Sequence, residues 1–203
     1  PFLALEETLA EEGIRFTEAH AGAGLVLPLS AGMNDSRLTA YSISLWMRPD
    51  PDALDGTAVL FEQGDFWRGL NLLLHRGFLQ ANAWNRPAME SDWSGTPLWG
   101  DGLIPDEWNH LALVLDVTES IEEADERGLF LYLNGEEVAR GPAHPIYPHK
   151  GGTGLGGVAG STVFRDREVR SLDPFRGAIR ELAVWPKALT HAEVEALLLE
   201  EVD

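Results

Sequence analysis

Glycine and proline interrupt this sequence every few residues, and the apolar runs between them are short. The chain holds 21 glycines and 12 prolines among its 203 residues. Both residue types end strands and build tight turns. Many short apolar runs separated by turn residues are typical of antiparallel β structure. The sequence therefore predicts an all-β protein.

The clearest strand runs from Tyr41 to Arg48. Alternate positions of a strand share a face, so the large apolar residues at 41, 43, 45 and 47 lie together and Trp46 lies opposite. The apolar run over residues 108–117 predicts a strand buried on both faces. Asn134 and Gly135 indicate a hairpin, because both tolerate the positive φ of a type I′ turn. Further strands are predicted over residues 57–61, 70–74, 78–84, 129–133, 137–140 and 177–185.

Helix is predicted near the two ends of the chain. Thr190 and Glu193 have the spacing of a capping box, which opens a helix. A second short helix is predicted over Leu3–Glu12. Two long stretches, residues 85–107 and 141–173, read as functional loops or as unseen strands. Within the second, the glycine-rich residues 151–156 are interpreted as a turn and the entry to a strand.

Charge and composition exclude several classes of partner. The 33 acidic and 15 basic residues give a net charge of -18, which argues against binding to nucleic acid or anionic lipid. The absence of cysteine excludes disulfides, thiolate catalysis and zinc–thiolate sites. No apolar run is long enough to insert into a membrane. We expect a single domain over residues 1–203, and, because the chain begins at Pro1, a fragment of a longer protein.

The ordered motifs resemble the concanavalin A-like lectin/glucanase superfamily, in its laminin-G-like or pentraxin-like branch. Five segments carry the resemblance: Gly13–Phe16 leading to Gly24–Pro28, Tyr41–Pro49, Glu107–Asp116, Leu129–Gly135 and Phe175–Thr190. The resemblance implies a two-sheet antiparallel jelly-roll sandwich with short terminal helices. It also implies a domain that binds sugars or proteins, or that serves as an accessory module of a secreted chain.

Many relatives hold a structural calcium ion through acidic residues in the first and last of these motifs. The last motif here reads Ile179–Glu181, with Arg180 in place of the expected aspartate. A guanidinium group opposes calcium binding at that position. Glu181 is the remaining candidate metal ligand, and carbonyl oxygens could complete a site. No other cofactor is expected.

Glucanases of this fold carry paired carboxylates at alternate positions of one strand, about 5.5 Å apart. The nearest matches, Glu90 with Asp92 and Glu123 with Asp125, lack the third carboxylate. The sequence therefore predicts a protein that is not an enzyme, and a hydrolase or lyase using other residues is the weakest alternative. We interpret His110 as a packed, hydrogen-bonded residue of its strand rather than a catalytic one.

Tryptophan carries the main functional signal. Three of the seven tryptophans, Trp46, Trp108 and Trp185, lie in strand motifs, and the other four do not. Aromatic faces beside planar amide and guanidinium groups suit both sugars and proteins. The alternative is that these aromatic side chains pack a long loop onto the sandwich. The candidate ligand-binding residues are Trp67, Arg68, Trp84, Asn85, Arg86, Trp93 and Trp99.

A second candidate surface is the arginine-rich segment between Arg165 and Arg180. It could meet an anionic sugar or an acidic partner, although neutralisation of neighbouring carboxylates explains it more simply. The leading hypothesis is a non-catalytic carbohydrate-binding module of a multidomain bacterial protein, located outside the cell, in the periplasm or on the surface. The alternative is a protein-interaction, adhesion or spacer module.

Overall fold

The alternation in Tyr41–Arg48 becomes the centre of the core. In a computed structural model, which describes residues 3–4, 12–17, 24–28, 33–86, 95, 97–118 and 127–199, the apolar side chains at positions 41, 43, 45 and 47 point inward and are at most 2% exposed. They pack against the inward residues of a second sheet in one continuous apolar cluster. This is the two-sheet antiparallel jelly-roll sandwich that the sequence predicts.

The first sheet has the strand order β1–β15–β4–β9–β10–β11, and β2 also pairs with β15. All these pairs are antiparallel. Its strands are β1 (Leu3–Ala4), β2 (Ile14–Phe16), β4 (Ala40–Pro49), β9 (Asn109–Asp116), β10 (Gly128–Leu133), β11 (Glu136–Gly141) and β15 (Gly177–Trp185).

The second sheet has the order β3–β12–β5–β6–β7–β8 and is also antiparallel. Its strands are β3 (Leu25–Val26), β5 (Thr57–Gly64), β6 (Arg68–His75), β7 (Phe78–Asn85), β8 (Leu98–Gly100) and β12 (Gly152–Leu155). A separate two-stranded ribbon is formed by β13 (Thr162–Phe164) and β14 (Arg167–Val169), and a 3₁₀ turn spans Pro51–Asp55.

The outer face of the first sheet is covered by helix α1 (His191–Ala196). Thr190 caps it as predicted: the Glu193 amide donates to the Thr190 hydroxyl, and the Glu193 carboxylate accepts from the Thr190 amide. Val194 of the helix packs with Ala112 and Val114 of β9. This contact explains why β9 is apolar on both faces.

The outer face of the second sheet is covered by residues 156–173, which include β13 and β14. Val59 and Leu73 of that face pack with Val158, and Phe164 and Leu172 lie against them. Strand β12 confirms the interpretation of the glycine-rich stretch. The two strands of the ribbon were not visible in the sequence, because segments of three residues carry no usable periodicity.

The predicted hairpin turn at Asn134 and Gly135 is confirmed, and a second turn of the same kind joins β6 to β7. Asn134 and Gly135 have φ of 50° and 83°, and Arg76 and Gly77 have 50° and 79°, as type I′ turns require. The predicted helix over Leu3–Glu12 is wrong at its start, because Leu3 and Ala4 pair with β15 as a strand. Residues 5–11 lie outside the described part of the chain. No helix in the described ranges is long and apolar enough to cross a membrane.

His110 is a packed residue of β9, as the sequence suggests. It is fully buried, its Nε2 lies 2.8 Å from the Ser44 hydroxyl, and its ring lies 5.1 Å from that of Trp46. Burial lowers the pKa of His110 from 6.5 to about 4. The folded protein therefore holds this ring neutral at pH values where the unfolded chain would protonate it.

This depressed pKa predicts a loss of stability in acid. Below pH 6.5 the unfolded state binds a proton that folded His110 does not take up until about pH 4. The free energy of unfolding should thus fall by up to about 1.4 kcal/mol per pH unit across that window. When the free energy of unfolding is measured in urea at several pH values, His110→Gln should lose less stability in acid, because the variant lacks this contribution. An identical slope in the variant would contradict the assignment.

A second prediction concerns the turn after β12. Gly156 has φ of 68°, and a Cβ there would lie 2.3 Å from the buried ring of Phe16. Gly77 has a similar φ of 79° with nothing within 4 Å of its Cβ position, which makes it a matched control. Gly77→Ala should cost about 1 kcal/mol through backbone strain. Gly156→Ala should cost a further 1–3 kcal/mol, roughly, through overpacking. Equal losses in denaturant unfolding would show that the Phe16 contact is not tight.

Candidate functional site

The turn between β5 and β6 presents Trp67 to solvent. The Asp65 carboxylate accepts hydrogen bonds from the backbone N–H groups of Trp67 and Arg68, at 2.7 and 3.0 Å. The Asp65 amide donates in turn to the Arg68 carbonyl at 2.9 Å. Asp65 favours such local bonding because its short side chain reaches the backbone two and three residues ahead. The turn is thereby fixed, with Trp67 55% exposed.

Trp84 lies beneath this turn and is completely buried. Its indole N–H donates to the Asp65 carbonyl at 3.0 Å. Gly69 makes room for the ring, since a Cβ there would lie 3.0 Å from Trp84 Cζ2. The predicted role of Trp84 as a ligand contact does not fit this position. Trp84 supports the turn from the protein interior, which is the packing role considered as the alternative.

Asn85 is also buried and fixes a neighbouring segment. Its side-chain NH₂ donates to the Pro145 carbonyl, and its Oδ1 accepts from the Tyr147 amide at 3.2 Å. The predicted role of Asn85 as a ligand contact does not fit this buried position. It positions Tyr147, whose ring lies 5.7 Å from the guanidinium groups of both Arg68 and Arg37.

Arg86 joins the same surface from the end of β7. Its amide donates to the Trp67 carbonyl at 2.6 Å, and its guanidinium lies 4.6 Å from the Phe66 ring. Phe66 and Trp67 meet edge to face at 5.1 Å. Together these residues form an aromatic surface with planar cationic groups. We call it the Trp67 surface, and its members are Phe66, Trp67, Arg68, Arg86 and Tyr147.

Trp99 lies at the opposite end of the second sheet. Strand β6 runs from Arg68, beside the Trp67 surface, to His75, whose ring lies 5.7 Å from that of Trp99. Eight residues of strand separate these ends by about 23 Å. Phe78 and Trp99 are 47% and 42% exposed and form an apolar patch with His75. The tryptophans therefore do not share one cleft, and Trp93 lies outside the described residues.

The arginine-rich segment is largely neutralised by its neighbours. Arg176 lies 2.6 Å from the Asp52 carboxylate, and Arg170 lies 3.1 Å from Glu168. Arg165 donates to His75 Nε2 at 3.1 Å. The two pairs with carboxylates support local charge compensation, the simpler interpretation of this segment, whereas the contact of Arg165 with His75 compensates no charge.

The environment of Glu181 does not fit a calcium ion. The Arg180 Nε lies 3.5 Å from the Glu181 carboxylate, and the guanidinium stacks on Trp108 at 4.3 Å. The positively charged guanidinium group of Arg180 thus occupies the position beside the carboxylate. Within the described ranges, no three His, Cys, Asp or Glu side chains are grouped to hold a metal.

Sequence reasoning missed Arg37 as a neighbour of this surface. Its contact with Tyr147 joins residues that are far apart in the chain, and no local motif signals such a pairing. The sequence shows Tyr147 only as an aromatic residue in a proline-rich loop. Its position depends on the buried Asn85, whose role follows from the fold.

A family model described as the concanavalin A-like lectin/glucanases superfamily matches residues 23–195. No curated protein sequence is significantly similar to the chain.

Several solved structures share its fold. The botulinum neurotoxin serotype D ligand binding domain in complex with N-acetylneuraminic acid aligns with 98% of this chain and 47% of its own, at 12% identity and a TM-score of 0.65. The botulinum neurotoxin serotype G binding domain aligns with 84% of this chain and 39% of its own, at 10% identity and a TM-score of 0.58. The receptor binding domain of the botulinum neurotoxin C/D mosaic serotype aligns with 81% of this chain and 37% of its own, at 13% identity and a TM-score of 0.54. The chain thus spans less than half of each of these proteins. With the family match over most of its length, it belongs to the concanavalin A-like lectin/glucanase superfamily.

Proposed function

We propose that this chain is a non-catalytic carbohydrate-binding module and that the Trp67 surface is its binding site. The observation that carries the proposal is the exposed Trp67 ring on a fixed turn. The turn rests on buried Trp84, so the ring is held in place before a ligand arrives. Preorganisation of this kind lowers the entropic cost of binding.

The chemistry of the surface suits a sugar. The flat ring of Trp67 can stack on the apolar face of a pyranose, as amphipathic aromatic side chains do at binding sites. Arg68 donates one N–H to the Pro148 carbonyl at 2.7 Å and has further planar N–H donors for ring hydroxyl or carboxylate oxygens. Arg86 is largely buried and supports the Phe66 ring from beneath the surface. A few polar groups beside aromatic ones are typical of small-molecule sites. The structural neighbours, described as receptor or ligand binding domains, support a binding role.

The strands support a role without catalysis. Retaining glycosidases need two carboxyl groups about 5.5 Å apart. Among the strands that the structure describes, none carries two acidic residues at alternate positions. On the outer face of β7 the alternate positions hold the amides Gln80 and Asn82 instead.

The setting of the module is part of the proposal. We infer that it belongs to a secreted or surface-exposed bacterial protein and is covalently joined to other domains. The support for further domains is that this chain aligns with only 37% and 47% of two of its structural neighbours. The net charge of -18 disfavours long anionic polysaccharides through general repulsion.

A protein-binding role is the second candidate, and the patch of Phe78 and Trp99 favours it. Two large exposed aromatic side chains beside one another are characteristic of protein interfaces. This patch lies at the other end of the sheet from Trp67. Substitutions at the two tryptophans can therefore separate the two functions.

The test is affinity electrophoresis and a glycan array with the intact chain. Trp67→Ala should weaken binding to any retained glycan by 10- to 100-fold, equivalent to about 1.4–2.8 kcal/mol. Trp99→Ala is the matched control, since it removes an indole that is 42% exposed against 55% for Trp67, and it should bind glycan normally. Circular dichroism and thermal unfolding should confirm that both variants are folded.

Two outcomes would contradict the proposal. One is that no glycan retards the unmodified chain. The other is that Trp99→Ala loses binding while Trp67→Ala does not, which would place the ligand at the Phe78 and Trp99 patch.

A further inference from the structure

Three polar side chains form a row across the centre of the second sheet. Glu62 of β5 lies directly opposite Asn71 of β6, and Asn71 lies directly opposite Asn82 of β7. Opposite residues of neighbouring strands project from the same face, with Cβ atoms about 5 Å apart. All three side chains are on the outer face and are 0%, 0% and 3% exposed. We call this row the polar ladder.

The covering segment fixes how two of these side chains are oriented. The Ala159 amide donates to Glu62 Oε1 at 2.7 Å. The Asn71 NH₂ group donates to the Thr162 hydroxyl at 2.9 Å and to the Val163 carbonyl at 2.7 Å. A carbonyl can only accept, so the Asn71 atom bonded to it is the nitrogen and its Oδ1 is left for another partner.

Four buried oxygens around the ladder have no hydrogen-bond donor among the described residues. They are Glu62 Oε2, Asn71 Oδ1, Asn82 Oδ1 and Gln80 Oε1. Gln80 shares the face of Asn82 two residues along β7. Gly95 passes directly over Asn82, since a Cβ there would lie 2.5 Å from Asn82 Oδ1. Each buried acceptor without a donor costs about 1–3 kcal/mol, so four together call for a shared positive partner.

The charge of the site points the same way. Among the described residues, the Ala159 amide donates to the Glu62 carboxylate, and no basic side chain forms an ion pair with it. A carboxylate beside amide oxygens is the donor set of hard cations, which bind oxygen at 2.3–2.6 Å. Asn71 lies between Glu62 and Asn82 in the ladder, with Cβ atoms about 5 Å from each, so an ion above Asn71 has the other two side chains on either side of it.

We propose that Glu62, Asn71 and Asn82, with Gln80 beside them, bind a hard cation of the calcium class between the second sheet and the segment that covers it. The ion satisfies the unpartnered oxygens and compensates the Glu62 carboxylate. Because Glu62 and Asn71 also hold Ala159, Thr162 and Val163, the ion fastens residues 158–163 to the sheet. The site is separate from Glu181, which lies in the first sheet.

The experiment measures thermal unfolding of the intact chain near neutral pH, first stripped with EDTA and then given millimolar Ca²⁺. At a Ca²⁺ concentration about a hundred times its Kd, Tm should rise by roughly 5–10 °C. Glu62→Gln keeps the shape and the Ala159 contact but removes the charge, and it should lose most of this rise. Asn82→Leu should also reduce it. Titration calorimetry should give one ion per chain.

Glu181→Gln is the matched control, because it removes one carboxylate of the same type at the position that relatives use for calcium. It should retain the full rise in Tm. If Glu181→Gln abolishes the rise and Glu62→Gln preserves it, the proposed site is wrong.

The proposal is also overturned if neither Ca²⁺, Mg²⁺ nor Na⁺ changes Tm. In that case a proton takes the place of the ion on Glu62. The sign of the pH dependence identifies this outcome: with the folded pKa raised from 4.5 to about 8, stability falls as pH rises through that interval. Glu62→Gln would then remove the fall.

Discussion

Burial of the two facing apolar surfaces is the constraint on which the rest of this structure depends. The inward residues of β4, β5, β6 and β9 form a single cluster between the sheets, and removing that apolar area from water supplies the main stabilising free energy. Strands β9 and β6 are also apolar on their outer faces, with Val114 on β9 and Leu73 on β6 for example. Each sheet therefore needs a cover on its outer face.

The two covers differ in chemistry. Helix α1 packs on an apolar strip of the first sheet, and the buried hydroxyls beside that strip have hydrogen-bond partners, Ser42 with Lys187 and Leu189 and Ser44 with His110. The segment over residues 156–173 packs on Val59 and Leu73, but it also closes over Glu62 and Asn71. Apolar burial at one end of this cover offsets the cost of enclosing polar groups at the other. The covering segment is therefore held by hydrogen bonds to Glu62 and Asn71 as well as by apolar contacts.

The exposed aromatic side chains lie at turns and on the edge strand β8, where the sandwich does not need side chains for its core. Trp67 and the pair of Phe78 and Trp99 lie at opposite ends of β6 and β7. The rigid sheet holds both groups in place and keeps them apart. Loops on a rigid scaffold commonly carry recognition residues, and here buried Trp84 and Asn85 connect the scaffold to the loop. The two amphipathic ends can thus serve different partners.

The sequence by itself determined the β architecture, because alternation in Tyr41–Arg48, the Asn134–Gly135 turn and the Thr190 cap are local patterns governed by backbone geometry. It also grouped Trp67, Arg68 and Arg86 in one candidate binding site, together with Trp84, Asn85, Trp93 and Trp99. Only the tertiary structure decided which of the tryptophans face solvent. Trp84 and Trp99 look alike in sequence, yet one lies under a turn and the other at an edge. The sequence also did not indicate that Glu62, Asn71 and Asn82 lie in one row. Their alignment depends on the register of three paired strands, which only the folded sheet fixes.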